Sequence, residues 1–403
     1  MVKIKVDKFI LDSGERYCIV INKETAIPLY YPNLYLTTRF RNTGHAVATI
    51  ESKAVNLSLF YRFLENSNIN IESNILSGVY LSCGDVDRLV IYFSKVSDLR
   101  KNMNLKSDYI SKRTLCHRLD SIIDYISWLT EELLQYDLSK YKVYLYTFIK
   151  SIKERKPRCH DNKYIESNHS KTLSDNAVNE IMEMIDCQSP NNPFKPMVRN
   201  RNAIIIQVLS ELGIRGGELL NIKIEDINFQ KKRLYIRRRA DEISDSRLNQ
   251  PLVKTLGRAL PLSNKLAADL KSYIDCDRKF FAKDKTGFLF VTYKSGPFLG
   301  EPLSISGYHK IISKIGEECH LLKGLTGHQF RHTWNYNFSC LMDSLNVSER
   351  EQGQMLVKMM GWKEGSGTAS TYNKRFVEEK AYEASIRLQD KLRRRSGEIK
   401  NDK

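Results

Sequence analysis

The chain has 403 residues, 41% of them hydrophobic and 10% aromatic, and carries a formal net charge of +17. That length predicts two or three domains, and the apolar content excludes wholesale disorder. The cationic excess favours a polyanionic partner, with nucleic acid the commonest, although a merely soluble basic surface carries the same charge. No apolar run approaches the roughly 20 residues that a membrane-spanning helix needs. The start, Met1-Val-Lys-Ile-Lys-Val, lacks the uninterrupted apolar stretch of a signal peptide. Eight scattered cysteines without a Cys-x-x-Cys pair point to reduced thiols in a cytoplasmic protein and away from zinc.

Residues 1–45 form a small β-rich extension by composition. Phe9-Ile-Leu, Tyr17-Cys-Ile-Val-Ile and Leu34-Tyr-Leu-Thr-Thr have strand-like density, broken by Ser13-Gly14, Pro28 and Pro32. From 46 to 155 the pattern turns helical. Ile50, Val55, Leu57, Phe60, Phe63 and Leu64 recur at spacings that suit one helical face, and Leu115, Leu119, Ile122, Ile123, Ile126 and Leu129 another, so a bundle of four or five helices is expected. Residues 156–173 read as an exposed basic linker. Lys153, Arg155, Lys156, Arg158 and Lys171 in and beside it are candidates for crossing a phosphate backbone, although a charge run is usually just solvated surface. Ser174-Asp175 is an N-cap signal for a new helix carrying Val178, Ile181, Met182 and Ile185, and a second apolar helix ends at Gly213. Arg233-Leu-Tyr-Ile-Arg, Gln250-Pro-Leu-Val-Lys and Arg258-Ala-Leu-Pro-Leu predict a small antiparallel sheet. Beyond about 262 the pattern is helical again apart from Gly287-Phe-Leu-Phe-Val-Thr, and residues 386–403 form a tail.

Five segments of the second half carry chemistry. In Glu211-Leu-Gly-Ile-Arg-Gly-Gly-Glu-Leu-Leu, Arg215 follows a helix beside two glycines that allow close approach to a ligand. Glu218 is placed to brace its guanidinium, and an ordinary surface Arg–Glu pair has the same spacing. Lys254 ends a predicted strand at a hairpin tip, with Lys231, Lys232 and Arg258 as rivals. In Gly327-His-Gln-Phe-Arg-His-Thr-Trp, His328 and Arg331 share a helical face and can contact one phosphate together. His328 and His332 also have a zinc spacing. No Glu follows His328, however, and Arg331 would set a fixed charge beside the metal, so no metal is expected. Trp362 offers an indole N–H that donates a hydrogen bond but exchanges no proton at neutral pH. Tyr372 is one of 21 tyrosines and alone reads as core or surface. As a set, these residue types suffice for phosphoryl transfer. Arginines hold phosphate oxygens and stay charged, a phenol attacks phosphorus, and an ammonium protonates a departing oxygen.

In this order and in these local sequences, the set resembles the tyrosine recombinase (phage integrase) family. The Arg215 segment matches its first arginine box, Gly-hydrophobic-Arg-x-x-Glu-Leu, and Ile224-Glu-Asp-Ile-Asn matches the usual continuation of that box. Arg258-Ala-Leu-Pro-Leu matches the family hairpin, and the His328 segment matches His-x-x-Arg followed by His-Thr. Trp362 stands where the family more often has histidine. Tyr372, in Ser-Thr-Tyr ten residues later, matches the nucleophile. The resemblance implies catalytic roles for Arg215, Lys254, His328, Arg331, Trp362 and Tyr372, with Glu218 and His332 behind them and no cofactor.

The same resemblance implies a mostly α fold with a small antiparallel sheet in the catalytic domain. The helical core-binding domain (46–155) and the catalytic domain (174–385) are then expected to close on DNA as a C-shaped clamp. The implied partners are double-stranded DNA, three further copies of the chain in a homo-tetramer on paired sites, and accessory DNA-bending or directionality factors. The implied function is that of a site-specific recombinase or integrase of a mobile genetic element, bacterial or phage, working through a 3′-phosphotyrosyl intermediate. A type IB topoisomerase-like relaxing enzyme and a catalytically inactive DNA-binding regulator are the alternatives.

Overall fold

The strand-like residues near the N-terminus form a hairpin. β1 (Ile4–Ile10) pairs antiparallel with β2 (Arg16–Asn22), with Ile4 opposite Asn22 and Ile10 opposite Arg16. The structure is a computed structural model that describes residues 4–95, 108–134, 138–158, 172–283, 286–363 and 381–391. It divides into two compact units, Met1–Asp161 and Asn162–Lys403.

In the first unit the hairpin is followed by α1 (Tyr30–Leu36), a π turn (Thr37–Arg41), α2 (Val47–Asn66), α3 (Ile71–Leu76), α4 (Cys83–Ser94), α5 (Lys112–Leu133) and α6 (Leu138–Arg155). Ile4, Tyr17, Cys18 and Val20 of the hairpin enter one core with Leu57, Phe60, Leu119, Ile122 and Ile126. The β extension is therefore packed as part of the helical body.

Leu34-Tyr-Leu-Thr-Thr is helical, against its strand-like composition. Pro32 falls in the first turn of α1, where its missing N–H leaves no bond unmade. Asn33 supplies what a third strand would have given. Its amide accepts from Val20 N at 2.8 Å and donates to Val20 O at 2.8 Å, so the edge of β2 is satisfied by a helix side chain.

The second unit contains α7 (Asp175–Ile185), α8 (Pro196–Leu212), α9 (Gly216–Leu220), β3 (Ile227–Asn228), β4 (Arg233–Ile236), β5 (Arg258–Pro261), α10 (Asn264–Ser272), α11 (Ile305–Glu318), α12 (Gly327–Ser344) and α13 (Glu349–Met360). Ser174 caps α7 as its sequence signals, its hydroxyl accepting from Ala177 N. α8 is buried along Ile204, Ile205, Val208 and Leu209.

The sheet is three-stranded and antiparallel in the order β3-β4-β5. Its third member is Ile227–Asn228, and Gln250-Pro-Leu-Val-Lys is not a strand. Pro251 has no N–H for a ladder, its carbonyl accepts from Asn221 Nδ2, and the Gln250 side chain accepts from Asp241 N. Those bonds tie the segment to the end of α9 and to the loop before it. Gly287-Phe-Leu-Phe-Val-Thr makes only isolated bridges, Lys223 to Phe288 and Val291 to Pro302.

α8 stops at Gly213 in the left-handed conformation (φ +59°), where a Cβ would lie 2.7 Å from Trp334 Cγ of α12. Gly213→Ala should destabilise the second unit by about 2 kcal/mol or more, from backbone strain plus overpacking. Gly324→Ala, at φ +82° with nothing within 4 Å of the new methyl, should lose only the backbone part. Urea unfolding of both variants checks this, and equal losses would show that Trp334 does not fix residue 213.

Candidate active site

α9 begins directly after Arg215, so the short turn from Gly213 sets Arg215 at a helix start, and Glu218 reaches back to accept from Arg215 N at 3.1 Å. The Glu218 side chain is fully buried. It accepts from Thr255 Oγ1 at 2.6 Å and from both terminal nitrogens of Arg258, at 2.8 and 3.3 Å. Arg215 Nη1 lies 3.6 Å and Arg331 Nη1 3.9 Å from its oxygens. Burial alone would raise the Glu218 carboxyl. The hydrogen bonds and charge of Arg258, the Thr255 hydroxyl and the charge of Arg331 outweigh it and hold the group below its ordinary range. One carboxylate thus gathers three guanidiniums.

The glycines beside Arg215 are filled from within the protein. A Cβ at Gly217 would meet Leu252 O at 3.0 Å, and one at Gly216 would meet the Tyr308 ring at 2.7 Å. Their freedom is used for packing, not for approach of a ligand as the sequence suggests.

Lys254 lies in the long irregular connection between β4 and β5, near its β5 end, rather than at the tip of a tight hairpin. The connection is nonetheless held firmly there. Val253 is buried, Thr255 grips Glu218, and Leu256 N donates to Gly361 O at 2.8 Å. Gly361 is left-handed (φ +64°), and a Cβ on it would lie 2.7 Å from Leu256 O. Lys254 itself is exposed. Among the rivals, Arg258 is engaged with Glu218 and with Met359 O at 2.6 Å, its side chain 5% exposed. Lys231 and Lys232 sit in the β3–β4 turn, with Lys232 bonded to Asn264.

His328 and Arg331 stand in the first turns of α12. Arg331 is completely buried, donating to Gly213 O at 2.9 Å and Met360 O at 3.2 Å, with its Cζ 5.6 Å from the Trp362 ring centre. His328 keeps an exposed edge. Burial of the ring, then the charges of Arg215 and Arg331, lower its pKa, so the imidazole is neutral at physiological pH. His332 packs edge-on against it at 4.8 Å between ring centres. Trp362 follows the Gly361 cap of α13 and is buried with Leu356 and Met360. No cluster of three or more metal-ligating side chains occurs among the described residues.

Arg215, Glu218, His328, Arg331 and Trp362 are thus brought together, with Lys254 next to the threonine that grips Glu218. Tyr372 and Lys171 lie outside the described residues. In the first unit, Arg155 pairs with Asp87 at 2.5 Å and Lys156 with Asp120 at 2.6 Å, while Lys153 and Arg158 face solvent. The contribution of Arg258 was hidden from the sequence because its partners, Glu218 and Met359, are distant in the chain. Its only signal is its place in the Arg-Ala-Leu-Pro-Leu segment.

Glu218→Gln should destabilise the second unit by about 3–5 kcal/mol, since it leaves buried guanidiniums without their carboxylate. Because the folded pKa of Glu218 is depressed, its contribution is complete above the unfolded value and is lost as pH falls through the folded one. Denaturant titrations at neutral and acidic pH should therefore show the variant's deficit shrinking on acidification. A deficit independent of pH would contradict this.

Residues 171–379 match the model of the phage integrase family. The tyrosine recombinase XerS of Streptococcus mutans is 23% identical over 288 residues, covering 68% of this chain and 74% of that protein. The integrase of Staphylococcus phage L54a is 23% identical over 216 residues, covering 52% of this chain and 57% of that one. Among solved structures, the Tn1549 transposon integrase in complex with a circular intermediate DNA aligns with a TM-score of 0.50 at 15% identity, over 85% of this chain and 94% of that one. The family model covers more than half of the chain and includes every segment that forms the site, so this chain belongs to the phage integrase family of tyrosine-type site-specific DNA recombinases.

Proposed function

We propose that the protein cuts and rejoins double-stranded DNA at specific sites on behalf of a mobile genetic element, through a 3′-phosphotyrosyl link made by Tyr372. The observation that carries this reading is the convergence of Arg215, His328, Arg331 and Trp362 around Glu218, with Lys254 held beside them. The likeness to a phage integrase and a transposon integrase supports the mobile-element setting. Residues 46–155 act as the core-binding domain and 174–385 as the catalytic domain, and Lys153 and Arg158 are the basic residues best placed for phosphate near the linker.

The phenolic oxygen of Tyr372 attacks phosphorus while its proton passes to the neutral imidazole of His328. The bond from phosphorus to the 5′-oxygen breaks, and Lys254 protonates the departing oxygen. Arg215 and the Trp362 N–H take up charge on the pentacoordinate phosphate, and Arg331, already committed to two carbonyls, acts through its buried charge. Attack by the 5′-hydroxyl of a partner duplex reverses each step, so bond energy is conserved and no cofactor enters the balance.

Two duplexes exchanging strands call for four copies of the chain. The exposed helix at 381–391, with Tyr382, Ile386 and Leu388 bare, supports that assembly. So does an apolar groove of about 270 Å³ between α7 and α12, lined by Val178, Ile181, Phe330 and Trp334, which would take this helix from a neighbouring copy. Phe376, at the start of the same apolar stripe, lies outside the described residues.

A nicked suicide substrate incubated with the protein in excess chelator should give a covalent protein–DNA adduct, and a strict need for magnesium would sink the mechanism. Lys254→Ala should form that adduct about 10²–10⁴-fold more slowly on normal DNA. It should approach the wild-type rate when sulfur replaces the bridging 5′-oxygen, a leaving group that needs little protonation. Equal defects on both substrates would show that Lys254 only positions the phosphate.

A further inference from the structure

Tyr308 of α11 is 4% exposed, and its ring occupies the space that two glycines leave empty. A Cβ at Gly216 would lie 2.7, 2.8 and 2.9 Å from its Cε1, Cζ and hydroxyl oxygen. A Cβ at Gly327 would lie 1.7 Å from the hydroxyl oxygen and 2.8 Å from Cζ. Gly216 is the first residue of α9, next to Arg215, and Gly327 is the first residue of α12, next to His328. One aromatic side chain therefore touches the backbone at the start of both helices that carry the site. Its hydroxyl oxygen is buried and makes no hydrogen bond among the described residues. A buried hydroxyl without a partner is unfavourable for stability, so Tyr308 is placed for its shape rather than for a polar contact.

We propose that Tyr308 is a positioning residue, wedged between Gly216 and Gly327, that sets the separation of Arg215 and His328. This rests on the reading of those two residues as the groups that hold the scissile phosphate. The wedge explains the chemistry of both glycines at once, since any side chain at either position would push a helix start away from the ring. It reaches the reaction only through the residues it spaces. A displacement of about 1 Å in such groups slows a reaction by roughly 10²-fold.

The test compares single-turnover cleavage at saturating DNA with the Kd for the same DNA. Gly327→Ala should cleave about 10²-fold more slowly with affinity within about threefold of wild type. Tyr308→Phe removes the oxygen that the new methyl would strike hardest and leaves Cζ at 2.8 Å, so Tyr308→Phe/Gly327→Ala should regain part of the lost rate, about threefold or more. Tyr308→Phe alone should stay within about threefold of wild type, because the ring remains. A rate defect that a second substitution repairs while affinity stays constant is not what a merely destabilised fold gives. If Gly327→Ala does not fold, Tyr308→Leu takes its place, with the same loss of about 10²-fold at unchanged affinity expected.

A wild-type rate in Gly327→Ala or Tyr308→Leu, or a double variant no faster than Gly327→Ala, overturns the proposal. Arg215→Ala and His328→Ala run in parallel locate the failure. If they are slow while the wedge variants are normal, only the role of Tyr308 falls. If they also cleave normally, the reading of the site falls and takes the wedge with it.

Discussion

Desolvating a carboxylate opposes folding by several kcal/mol unless cations and donors surround it, and at Glu218 the surrounding groups come from three separate stretches of chain, with a fourth held through Arg258. Arg215 brings the end of α8, Thr255 and Arg258 bring the connection into β5, Arg331 brings α12, and through Met359 O Arg258 brings the end of α13. Withdrawal of any one of these segments would remove one of the groups that hold Glu218 or Arg258 in place. Arg215, Arg258 and Arg331 are thereby ordered by the protein alone, and on the proposed reading of the site that is where electrostatic preorganisation has its value.

The division of labour among the cations comes from their burial. Arg258 is fully engaged in holding Glu218 and Met359 O, and Arg331 is enclosed by Gly213 O, Met360 O and the Trp362 ring. Arg215 remains about a quarter exposed, with Nη1 buried and without a hydrogen bond among the described residues. Lys254, next in the chain to Thr255, is exposed. On the proposed reading, the inner guanidiniums supply field and rigidity and the two more exposed cations meet the phosphate. Burial of the ring, and then the charges of Arg215 and Arg331, lower the pKa of His328.

Much of this was legible in the sequence where the signal is local. The periodicity of α2, α5, α7 and α8, the Ser174 cap and the His328–Arg331 spacing all depend on residues within one or two turns of each other. The features that stayed illegible depend on distant partners. Leu34 to Thr38 look like a strand but are helical because Asn33 satisfies β2 with its side chain. Residues 250–254 look like a strand but lie along α9 because Asn221 and Gly217 receive them there. Arg258 and Tyr308 carried no periodic mark, and their importance appears only when residues a hundred positions apart are seen in contact.

On the proposed mechanism this cationic cluster activates one phenol, that of Tyr372, on DNA. Proteolysis of the covalent protein–DNA complex, followed by mass spectrometry of the nucleotide-bearing peptide, tests it most directly. A single modified residue, Tyr372, linked to a 3′-phosphate is the expected result. A nucleotide on any other residue, such as Tyr382 of the tail helix, or a link through a 5′-phosphate, would contradict it.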